Sequence, residues 1–568
     1  MQSKTINGSE IILETLLELG VDTVFGYPGG AVLNIYDALY KYEKQGKIKH
    51  FLTSHEQHAG HAADGYARAT GKTGVVIATS GPGASNLVTA LASAYMDSSP
   101  VVAITGNVSQ DLLGLASFQE LDIVGITMSV TKHNFLVTDI TKLADTIRDA
   151  FKIAETGRKG PVLIDIPKDI TAAVCEYFPQ GNNSDYGNGK WKIRAGEKEI
   201  NTARDMLAKS ERPFVYAGGG VISANAGAEL SLLSEKLGAP VACSLMGHGA
   251  VDHKWNNYIG MLGMHGTPAA AYAFEHSDLI LAVGARFSDR VTGDKNLFGE
   301  KKIIHIDIDN SEHGKNIPTE LDIEGDAKTV LAQLIPLVEK RADNGWVAEV
   351  RTKSRHFPKQ AATPEYPVTP FDVLHTLSDI TEGNAIITTE VGQNQMWAAE
   401  YYTYRAQRSF ISSGGLGTMG FGLGAAVGAK IGVPDKDVVC VSGDGSFGMN
   451  LNELSTLARY NIPVKILLFN NGVLGMVRQW QKLFYDARFS HTILSEQNGY
   501  SGVDYNKLAA AFGIKYVRID TKESIETGLK TAIEYNAPVL VEVITSPDYN
   551  VLPMVFPGKD ITKPIYEM

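Results

Sequence analysis

Two oxygen-bearing side chains, Asp444 and Asn471, have the spacing expected of metal ligands at neighbouring strand ends. Asp444 lies just after the apolar run 438–441, and Asn471 lies just after the apolar run 464–469, with a helix-like segment between them. The carboxyl ends of parallel strands meet at one edge of a sheet, where open α/β proteins bind ligands. Carboxylate and amide oxygens are suited to Mg²⁺ or Ca²⁺. The pair therefore predicts a divalent-cation site, whereas Asp444 alone would fit an ordinary strand-to-helix turn.

The small residues around Asp444 predict a second ligand beside the cation. Gly443, Gly445 and Ser446 have little side-chain bulk, so a phosphate group could approach the backbone closely. The amides at the start of the following helix would stabilise its negative charge. We therefore expect a phosphate-bearing ligand at this turn.

The elements that must position these residues are typical of an α/β protein. Short β-branched runs alternate with amphipathic segments over most of the 568 residues, a pattern that predicts parallel sheets covered by helices. Two polar, turn-rich stretches at 178–190 and 356–367 are interpreted as linkers. We therefore predict three doubly wound parallel-sheet domains at 1–180, 190–345 and 365–550, followed by a C-terminal tail at 551–568.

Composition excludes several classes of protein. A net charge of −11 without a basic block disfavours nucleic acid and anionic membranes as partners. Three separated cysteines, Cys175, Cys243 and Cys440, predict neither a disulfide framework nor a thiolate metal site. The glycine-rich uncharged stretch 414–429 predicts a buried helix start rather than a membrane span. Because the N-terminus is also unlike a signal peptide, we expect a cytoplasmic protein.

A further acidic candidate, Glu56, lies in the first predicted domain. It stands where an extended run gives way to a helix-like segment. A carboxylate at a helix start is stabilised by the helix dipole. Taken alone, Glu56 is therefore interpreted as a helix N-terminal charge.

The motif GDGS at 443–446, followed by NN at 470–471, resembles the signature of thiamine-diphosphate enzymes. The resemblance implies that Asp444 and Asn471 bind Mg²⁺ through their side chains and Val473 through its backbone carbonyl. It also implies that Glu56 hydrogen-bonds the aminopyrimidine ring of the cofactor. The protein would then supply geometry and one acid, and the cofactor would supply the remaining chemistry.

Longer motifs extend the resemblance to nearly the whole chain and narrow it to the catalytic subunits of acetohydroxyacid synthase (acetolactate synthase). They include FGYPGG at 25–30, SFQE at 117–120, GARFSDRVTG at 284–293, GQNQMW at 392–397 and GMVRQW at 475–480. The resemblance implies decarboxylation of pyruvate and transfer of the two-carbon unit to a second pyruvate or to 2-ketobutyrate. The products would be 2-acetolactate or 2-aceto-2-hydroxybutyrate, in branched-chain amino-acid biosynthesis.

The resemblance also assigns substrate contacts. Arg290 would bind the carboxylate of the second 2-ketoacid through its planar fork, although a structural ion pair with Asp289 is an alternative. Trp480 and Met476 would shape the acceptor pocket, although an aromatic residue at this helical spacing could also belong to the core. Four residues would line the catalytic site from the neighbouring subunit: Gly30, Phe118, Gln119 and Lys168.

Two organic cofactors are implied, thiamine diphosphate and a non-redox FAD. Met419 would support the folded shape of thiamine diphosphate. The expected thiamine-diphosphate contacts are Glu56, Gly392, Gln393, Asn394, Gly417, Met419, Gly443, Asp444, Gly445, Ser446, Asn471 and Met476. The expected FAD contacts in the middle domain are Gly218, Gly219, Gly220, Ser244, Leu245, Met246, Leu262, Gly263, Met264, His265, Gly284, Ala285, Arg286, Asp307, Ile308, Gly325 and Asp326. The alternative for this domain is a doubly wound fold with a vestigial site.

Four residues depart from the family pattern. Asn394 stands where His is usual, Ser288 where Asp is usual, Asn107 where Gln is usual and Gly424 where Pro is usual. The first departure concerns the strength of diphosphate binding, and the second concerns FAD occupancy.

The resemblance predicts an oligomer, because family sites form between the first domain of one chain and the third domain of another. We expect a homodimer or homotetramer that acts on small 2-ketoacids, and a small regulatory subunit is left open. Two other functions also stay open. One is another thiamine-diphosphate-dependent 2-ketoacid carboligase or decarboxylase of the same fold, and the other is a non-catalytic nucleotide-binding relic.

Overall fold

The computed structural model describes residues 3–180, 193–353, 360–494 and 502–567. Within these ranges the chain forms three six-stranded parallel sheets, each covered by helices, and one antiparallel pair of strands. The predicted α/β class with three doubly wound sheets is confirmed. Of the two predicted linkers, residues 181–190 and 356–359 lie outside the described residues.

The first domain contains a sheet in the order β3-β2-β4-β5-β7-β6. Its strands are β1 Lys4–Asn7, β2 Thr23–Gly26, β3 Lys49–Leu52, β4 Gly74–Ala78, β5 Val101–Asn107, β6 His133–Leu136, β7 Val162–Pro167 and β8 Val174–Tyr177, with β1 and β8 forming the antiparallel pair. Its helices are α1 Gly8–Glu18, α2 Leu33–Lys44, α3 Glu56–Thr70, α4 Pro82–Asn86, α5 Val88–Met96, α6 Ile123–Thr127, α7 Leu143–Glu155 and α8 Lys168–Ala172. Every residue of β4, β5 and β7 is buried, as expected of parallel strands covered on both faces.

The middle domain has the strand order β11-β10-β9-β12-β13-β14. Successive strands are therefore added to one side of β9 and then, from β12 onward, to its other side, so the strand order reverses between β9 and β12. Its strands are β9 Pro213–Ala217, β10 Val241–Cys243, β11 Tyr258–Met261, β12 Leu279–Val283, β13 Lys302–Asp307 and β14 Leu321–Glu324. Its helices are α9 Glu197–Lys209, α10 Gly219–Ser223, α11 Gly227–Leu237, α12 Pro268–His276, α13 Asp289–Thr292, α14 Asn296–Gly299, α15 Ala327–Leu334 and α16 Trp346–Thr352. Such a reversal opens a crevice at the carboxyl ends of the strands, where doubly wound proteins bind nucleotides.

The third domain has the order β16-β15-β17-β18-β20-β19. Its strands are β15 Ile386–Thr389, β16 Phe410–Ile411, β17 Val438–Gly443, β18 Val464–Asn470, β19 Lys515–Ile519 and β20 Val539–Ile544. Its helices are α17 Pro370–Ile380, α18 Gln393–Tyr401, α19 Gly422–Gly432, α20 Asp444–Phe447, α21 Leu454–Tyr460, α22 Gly475–Phe484, α23 Tyr505–Ala511 and α24 Lys522–Glu534. The six strands of the first and third sheets follow the same order along the chain, which differs from that of the middle sheet.

Helices α3 and α19 join the first and third domains by direct backbone contact. A Cβ atom added at Gly65 would overlap the carbonyl oxygen of Ala425, and one added at Gly428 would overlap that of Ala62. Most of α19 is buried, as predicted for the uncharged stretch 414–429, but the helix begins only at Gly422. The preceding residues 414–421 form a loop, because Gly417 and Gly420 have left-handed backbone angles, with φ of +74° and +88°.

We predict that Gly428→Ala destabilises the protein. In an open helix this substitution would stabilise by about 1 kcal/mol. At Gly428 the new methyl group meets the backbone of α3, and such overpacking costs about 1–3 kcal/mol. The urea midpoint should therefore fall for Gly428→Ala. It should not fall for the control Gly299→Ala, where the methyl group enters open space within helix α14. An unchanged midpoint in Gly428→Ala would contradict the packing described.

The tail that follows the third sheet lies against the middle domain. Val555 N donates to Met264 O (2.8 Å), and Asp294 N donates to Lys559 O (3.0 Å). Phe556 packs against Phe484 with the ring centroids 5.3 Å apart.

In the part of the chain that the structure describes, no helix is both long and apolar enough to cross a membrane.

Candidate active site

Asp444 and Asn471 lie at the ends of adjacent strands of the third sheet. Strands β17 and β18 pair in parallel with Gly443 opposite Phe469, so the residues that follow them come together. Asp444 Oδ2 accepts a hydrogen bond from Gly472 N (2.8 Å), and Asp444 Oδ1 accepts one from Gly445 N (3.1 Å). Burial raises the pKa of Asp444 to about 7, because its charge is poorly solvated. A cation at this edge would stabilise the ionised carboxylate.

Two amide side chains at the start of α18 face the same strand ends. Asn394 Nδ2 donates to Val441 O (3.0 Å), and Gln393 Nε2 donates to Gln479 Oε1 (3.0 Å). Gln393 Oε1 is buried and has no partner within the described residues. The amide oxygen of Gln393 is thus available to a ligand, and the amide of Asn394 is anchored to the sheet.

Sequence reasoning missed Glu390, which ties together the loops of the third-domain site. Its buried carboxylate accepts hydrogen bonds from Gly420 N (2.7 Å), Leu423 N (3.1 Å) and Ser446 Oγ (3.1 Å), and also from Asn450 Nδ2. These donors belong to the loop that carries Met419, to the start of α19 and to the segment that follows Asp444. The signal available in the sequence was an acidic residue directly after the apolar strand β15.

We predict that Glu390→Gln destabilises the third domain and weakens cofactor binding. Each carboxylate oxygen of Glu390 accepts two hydrogen bonds, so an amide NH₂ at either position would face donors instead of acceptors. Unsatisfied buried groups cost about 1–3 kcal/mol each. Urea unfolding should show this loss in Glu390→Gln and not in Glu523→Gln, which changes an exposed acid at the start of α24. Equal midpoints for the two variants would contradict the assignment.

Glu56 lies at the first position of α3, beyond the end of β3. Its Oε2 accepts a hydrogen bond from Asn86 Nδ2 (2.9 Å). The neighbouring residues are fixed to the third domain of the same chain, because Glu453 Oε1 accepts from Ser54 N (2.8 Å) and lies 3.0 Å from His58 Nδ1. The buried carboxylate of Glu453 therefore holds the start of α3 in place, a role that no sequence motif indicated.

Of the other residues predicted to act from the first domain, Gln119 lies against the same turn, residues 81–83, as Glu56. A Cβ atom on Gly81 would lie 2.9 Å from Gln119 O, and one on Gly83 would lie 3.2 Å from Glu56 Oε1. Lys168 O accepts a weak hydrogen bond from Asn34 Nδ2 (3.4 Å). Asn34 lies in the first turn of α2, shortly after Gly30. Phe118 is 88% exposed. Its ring is therefore largely uncovered by its own chain.

A cavity of about 1600 Å³ is lined by residues of all three domains. All the predicted FAD contacts except Gly218 and Gly263 line it. Gly392, Gly417 and Met476 line it as well, together with Arg290 and Trp480. Glu56, Phe118 and Asp444 are not part of its lining. Within one chain the structure therefore brings together the middle-domain and substrate residues, while Glu56 and Asp444 lie elsewhere.

Arg290 and Trp480 meet at the wall of this cavity. The Arg290 guanidinium lies 6.0 Å from the centre of the Trp480 ring, at the limit of a cation–π contact. The alternative partner of Arg290, Asp289, is 3.9 Å away, and both side chains are largely exposed. An exposed ion pair of this length contributes little, so the guanidinium remains free to bind an anion. Trp480 is half-buried and, like Phe556 of the tail, packs against the cluster of Met264, Leu552 and Met554.

The glycine-rich turns of the middle domain lie at the reversal point of its sheet. Gly218 follows β9 and Gly284 follows β12, and Gly220 N donates to Gly284 O (3.0 Å). A Cβ atom on Gly220 would lie 2.6 Å from Gly284 Cα. Only glycine allows the two turns to approach this closely. Gly218 is thus part of the packing beneath the cavity rather than its lining.

The first and third domains also meet at a buried ionic group. Arg68 Nη2 contacts Asp64 (2.8 Å) and Asp97 (3.2 Å), and Asp97 accepts hydrogen bonds from Gly414 N (3.0 Å) and Gly415 N (2.7 Å). The loop that leads to Gly417 is thereby attached to the first domain. The sequence offered no pattern from which this group could be predicted.

Comparison with known proteins assigns the family. Models of the thiamine pyrophosphate enzyme match the chain as an N-terminal TPP binding domain at 6–126, a central domain at 200–334 and a C-terminal TPP binding domain at 390–543. The probable acetolactate synthase large subunit of Methanocaldococcus jannaschii is 45% identical over 98% of this chain and 95% of its own. The acetolactate synthase isozyme 2 large subunit of Escherichia coli is 44% identical over 97% of this chain and 98% of its own. The acetolactate synthase large subunit of Parasynechococcus marenigrum is 44% identical over 98% of this chain and 90% of its own.

The chain belongs to the acetolactate synthase large-subunit family. The predicted family membership is thereby confirmed. The first and third domains of this family member are thiamine-pyrophosphate-binding domains. Glu56 lies within the range matched by the first model, and Asp444 and Asn471 lie within the range matched by the third.

The structure gives physical reasons for two departures from the acetolactate synthase pattern. Asn107 is buried and donates through Nδ2 to Asp165 Oδ2 (2.6 Å). Like the usual Gln, Asn107 therefore has a side-chain amide, and here that amide binds the buried carboxylate of Asp165. Gly424 lies against α3, and a Cβ atom there would lie 3.0 Å from His58 O. Ser288 precedes α13 without a side-chain capping bond. The structure gives no reason for that third departure.

Proposed function

We propose that the chain catalyses the acetolactate synthase reaction, as the names of its relatives indicate for those proteins. Pyruvate would be decarboxylated, and its two-carbon unit would be transferred to the carbonyl carbon of a second pyruvate or of 2-ketobutyrate. The products would be CO₂ and 2-acetolactate or 2-aceto-2-hydroxybutyrate. One observation carries the substrate class: Arg290 and Trp480 meet at the wall of a cavity that also contains Gly417 and Met476.

Chain residues would hold and orient the reactants. When bound, thiamine diphosphate supplies the nucleophilic carbon and the electron sink. Glu56 would hold a proton against the pyrimidine ring. Arg290 would bind the carboxylate of the acceptor ketoacid through two parallel hydrogen bonds. Trp480 and Met476 would contact its alkyl group and exclude water, which favours the longer 2-ketobutyrate chain.

The residues at the strand ends fit Mg²⁺ and a diphosphate. Asp444 and Asn471 offer side-chain oxygens, and Val473 offers its carbonyl, which is the hard-oxygen donor set that Mg²⁺ prefers. A divalent ion would also offset the cost of the buried Asp444 charge, which its raised pKa reflects. The backbone amides of 443–446 would receive the diphosphate, and the ion would supply positive charge that offsets the charge of the diphosphate.

The middle domain fits FAD as a bound, non-redox cofactor. The cavity that it shares with the other two domains exceeds the roughly 300–1,000 Å³ of ordinary small-molecule pockets. The glycine turns at the reversal point would admit a pyrophosphate, and Arg286 in the cavity wall would balance its charge. Asp307 is the last residue of β13 and Asp326 follows β14 closely, and both would accept hydrogen bonds from ribose hydroxyls.

The assignment is tested by assaying purified protein with pyruvate and 2-ketobutyrate in competition. Thiamine diphosphate, Mg²⁺ and FAD are each omitted in turn. We expect acetolactate, detected as acetoin after acidification, and acetohydroxybutyrate when the longer ketoacid is present. Acetaldehyde as the main product would identify a decarboxylase. No turnover with all three cofactors would indicate a nucleotide-binding relic.

We further propose that each site forms between two chains, in a homodimer or a homotetramer, with a small regulatory subunit as a further partner. Three features support the oligomer: the absence of Glu56 and Asp444 from the lining of the shared cavity, the 88% exposure of Phe118 and the 55% exposure of Met449. A second copy would cover these apolar side chains. The term "large subunit" in the names of the relatives supports the smaller partner.

We predict that two inactive variants complement each other. When Glu56→Gln and Asp444→Asn chains are co-expressed equally, about half of the dimers are mixed, and one of the two sites in each mixed dimer is intact. Activity should then return to about one quarter of the wild-type value. Separately purified and unmixed variants provide the baseline. If the sites lie within single chains, the mixture will stay inactive.

A further inference from the structure

We propose that the chain binds a late first-row divalent ion such as Zn²⁺ in the middle domain, through His305, His313 and Asp322. One potential ligand atom of each residue lies within 4.8 Å of the other two. This site is separate from Asp444 and Asn471, which belong to the third sheet. It neither requires nor follows from the proposed synthase activity.

Strand pairing places two of the ligands. His305 on β13 and Asp322 on β14 are direct partners in the parallel register, so their side chains point to the same face of the sheet. His313 comes from the connection between these two strands, directly after a short 3₁₀ turn at Asn310–Glu312. The rings of His305 and His313 lie with centroids 5.0 Å apart and nearly perpendicular. The three donors therefore converge at the edge of the sheet, because β14 is its last strand.

The hydrogen bonds of His305 prepare one nitrogen as a ligand. His305 Nε2 lies 2.9 Å from Ala285 O, and since a carbonyl can only accept, Nε2 carries the proton. The lone pair is therefore on Nδ1, which is buried and has no partner within the described residues. A backbone carbonyl bound to the second ring nitrogen is a common arrangement around metal-binding histidines.

The other two ligands are also available. His313 Nε2 is buried and has no partner within the described ranges. Asp322 Oδ1 accepts a hydrogen bond from Thr319 Oγ1 (2.7 Å), which orients the carboxylate. Two unsatisfied buried nitrogens would each cost about 1–3 kcal/mol, and a shared metal ion would satisfy both.

The donor set selects the ion. Two imidazoles and one carboxylate suit Zn²⁺ and related ions, whereas Mg²⁺ and Ca²⁺ prefer oxygen ligands. Tetrahedral ligation with bonds near 2.0–2.1 Å brings ligand atoms to about 3.3 Å from one another. Asp322 is exposed and His313 is half-buried, so small side-chain rotations can close the remaining gap. Because Asp322 is exposed, solvent can reach the fourth position.

Occupancy of this site would stabilise β14 against β13. A metal ion held by both strands and by their connection closes the loop between them. Strand β14 lies at the edge of the sheet and leads into Gly325 and Asp326 at the cavity wall. Binding should therefore raise the melting temperature of the middle domain.

The test uses the full chain saturated with Mg²⁺ and titrated with Zn²⁺ alone against a competing chelator. We expect one tight Zn²⁺ per chain in the wild type. Affinity should fall by at least about tenfold in His313→Asn and in Asp322→Asn, since changes to outer-shell residues alone cost that much. The control His375→Asn removes an exposed histidine that lies 3.3 Å from Asp379 and should bind as the wild type does. His305 is not substituted, because it is buried and a variant that fails to fold could not be distinguished from one that has lost a metal ligand.

Two further readouts separate ligation from folding. Co²⁺ in place of Zn²⁺ should give the visible absorption of a four-coordinate site in the wild type and lose it in His313→Asn. Zn²⁺ should raise the melting temperature of the wild type but not of His313→Asn, while the two metal-free proteins melt alike. Equal Zn²⁺ affinity of the wild type and His313→Asn would overturn the proposal, and so would equal losses in His313→Asn and His375→Asn.

Discussion

Glu56→Gln should lower kcat by about 10²–10⁴-fold, the contribution typical of a positioned acid or base. The substitution keeps the size of the side chain and its place at the start of α3. It removes the acid that would hold a proton against the pyrimidine ring of thiamine diphosphate. Asn86 can still donate to the remaining carbonyl oxygen, so the local structure should persist. Steady-state acetolactate formation at saturating cofactor measures the effect.

Controls distinguish catalysis from a structural charge effect at the helix start. Glu197→Gln removes an exposed acid from the first turn of α9 and should leave kcat unchanged. The circular dichroism spectrum of Glu56→Gln should match that of the wild type. Its free energy of unfolding in urea should lie within about 1 kcal/mol of the wild-type value, as expected for the loss of a helix N-terminal charge. If Glu56→Gln retains kcat within threefold, Glu56 is only a helix N-terminal charge.

Asp444→Asn should weaken Mg²⁺-dependent binding of thiamine diphosphate by about 100-fold or more, equivalent to about 3 kcal/mol. The physical reason is the loss of the only anionic ligand among the three proposed for the ion. Mg²⁺ binds neutral amides less strongly than carboxylates. The affinity is measured by titrating the cofactor at fixed Mg²⁺, and then Mg²⁺ at fixed cofactor.

The matched variant for this prediction is Asp435→Asn, which removes an exposed carboxylate shortly before β17. It should bind the cofactor as the wild type does. In Asp444→Asn, added Mg²⁺ should partly restore binding, since the ion still has Asn471 and Val473 as ligands. Unchanged cofactor affinity at low Mg²⁺ would show that the ion is held elsewhere.

Local spacing made the third-domain site predictable from the sequence. Asp444 and Asn471 are separated by one helix and one strand, so parallel pairing alone brings them together. The start of α3 at Glu56 was equally readable, since an extended run changes there to a helical one. Their roles as ligand and acid remain predictions, because the fold fixes their positions without showing what they bind.

Long-range packing explains what the sequence did not reveal. Arg290 and Trp480 come from different domains, and only a family resemblance linked them before the structure placed them 6.0 Å apart. Glu390, Glu453 and Asp97 have buried carboxylates whose partners lie in other loops or domains. No periodicity signals such residues, because their partners are set by tertiary structure. The loop at 414–421 was predicted as part of a helix start because an uncharged run was read without its left-handed glycines.

The glycine contact between α3 and α19 also limits how this protein can be recombined with its relatives. A chimaera that takes its first domain from one parent and its third from another receives the two halves of this crossing from different sources. Gly65 lies against the backbone of Ala425 and Gly428 against that of Ala62, so neither position accepts a side chain, and both helices would have to be inherited together. The middle domain takes no part in the crossing. Exchange of the middle domain would therefore leave this helix crossing intact.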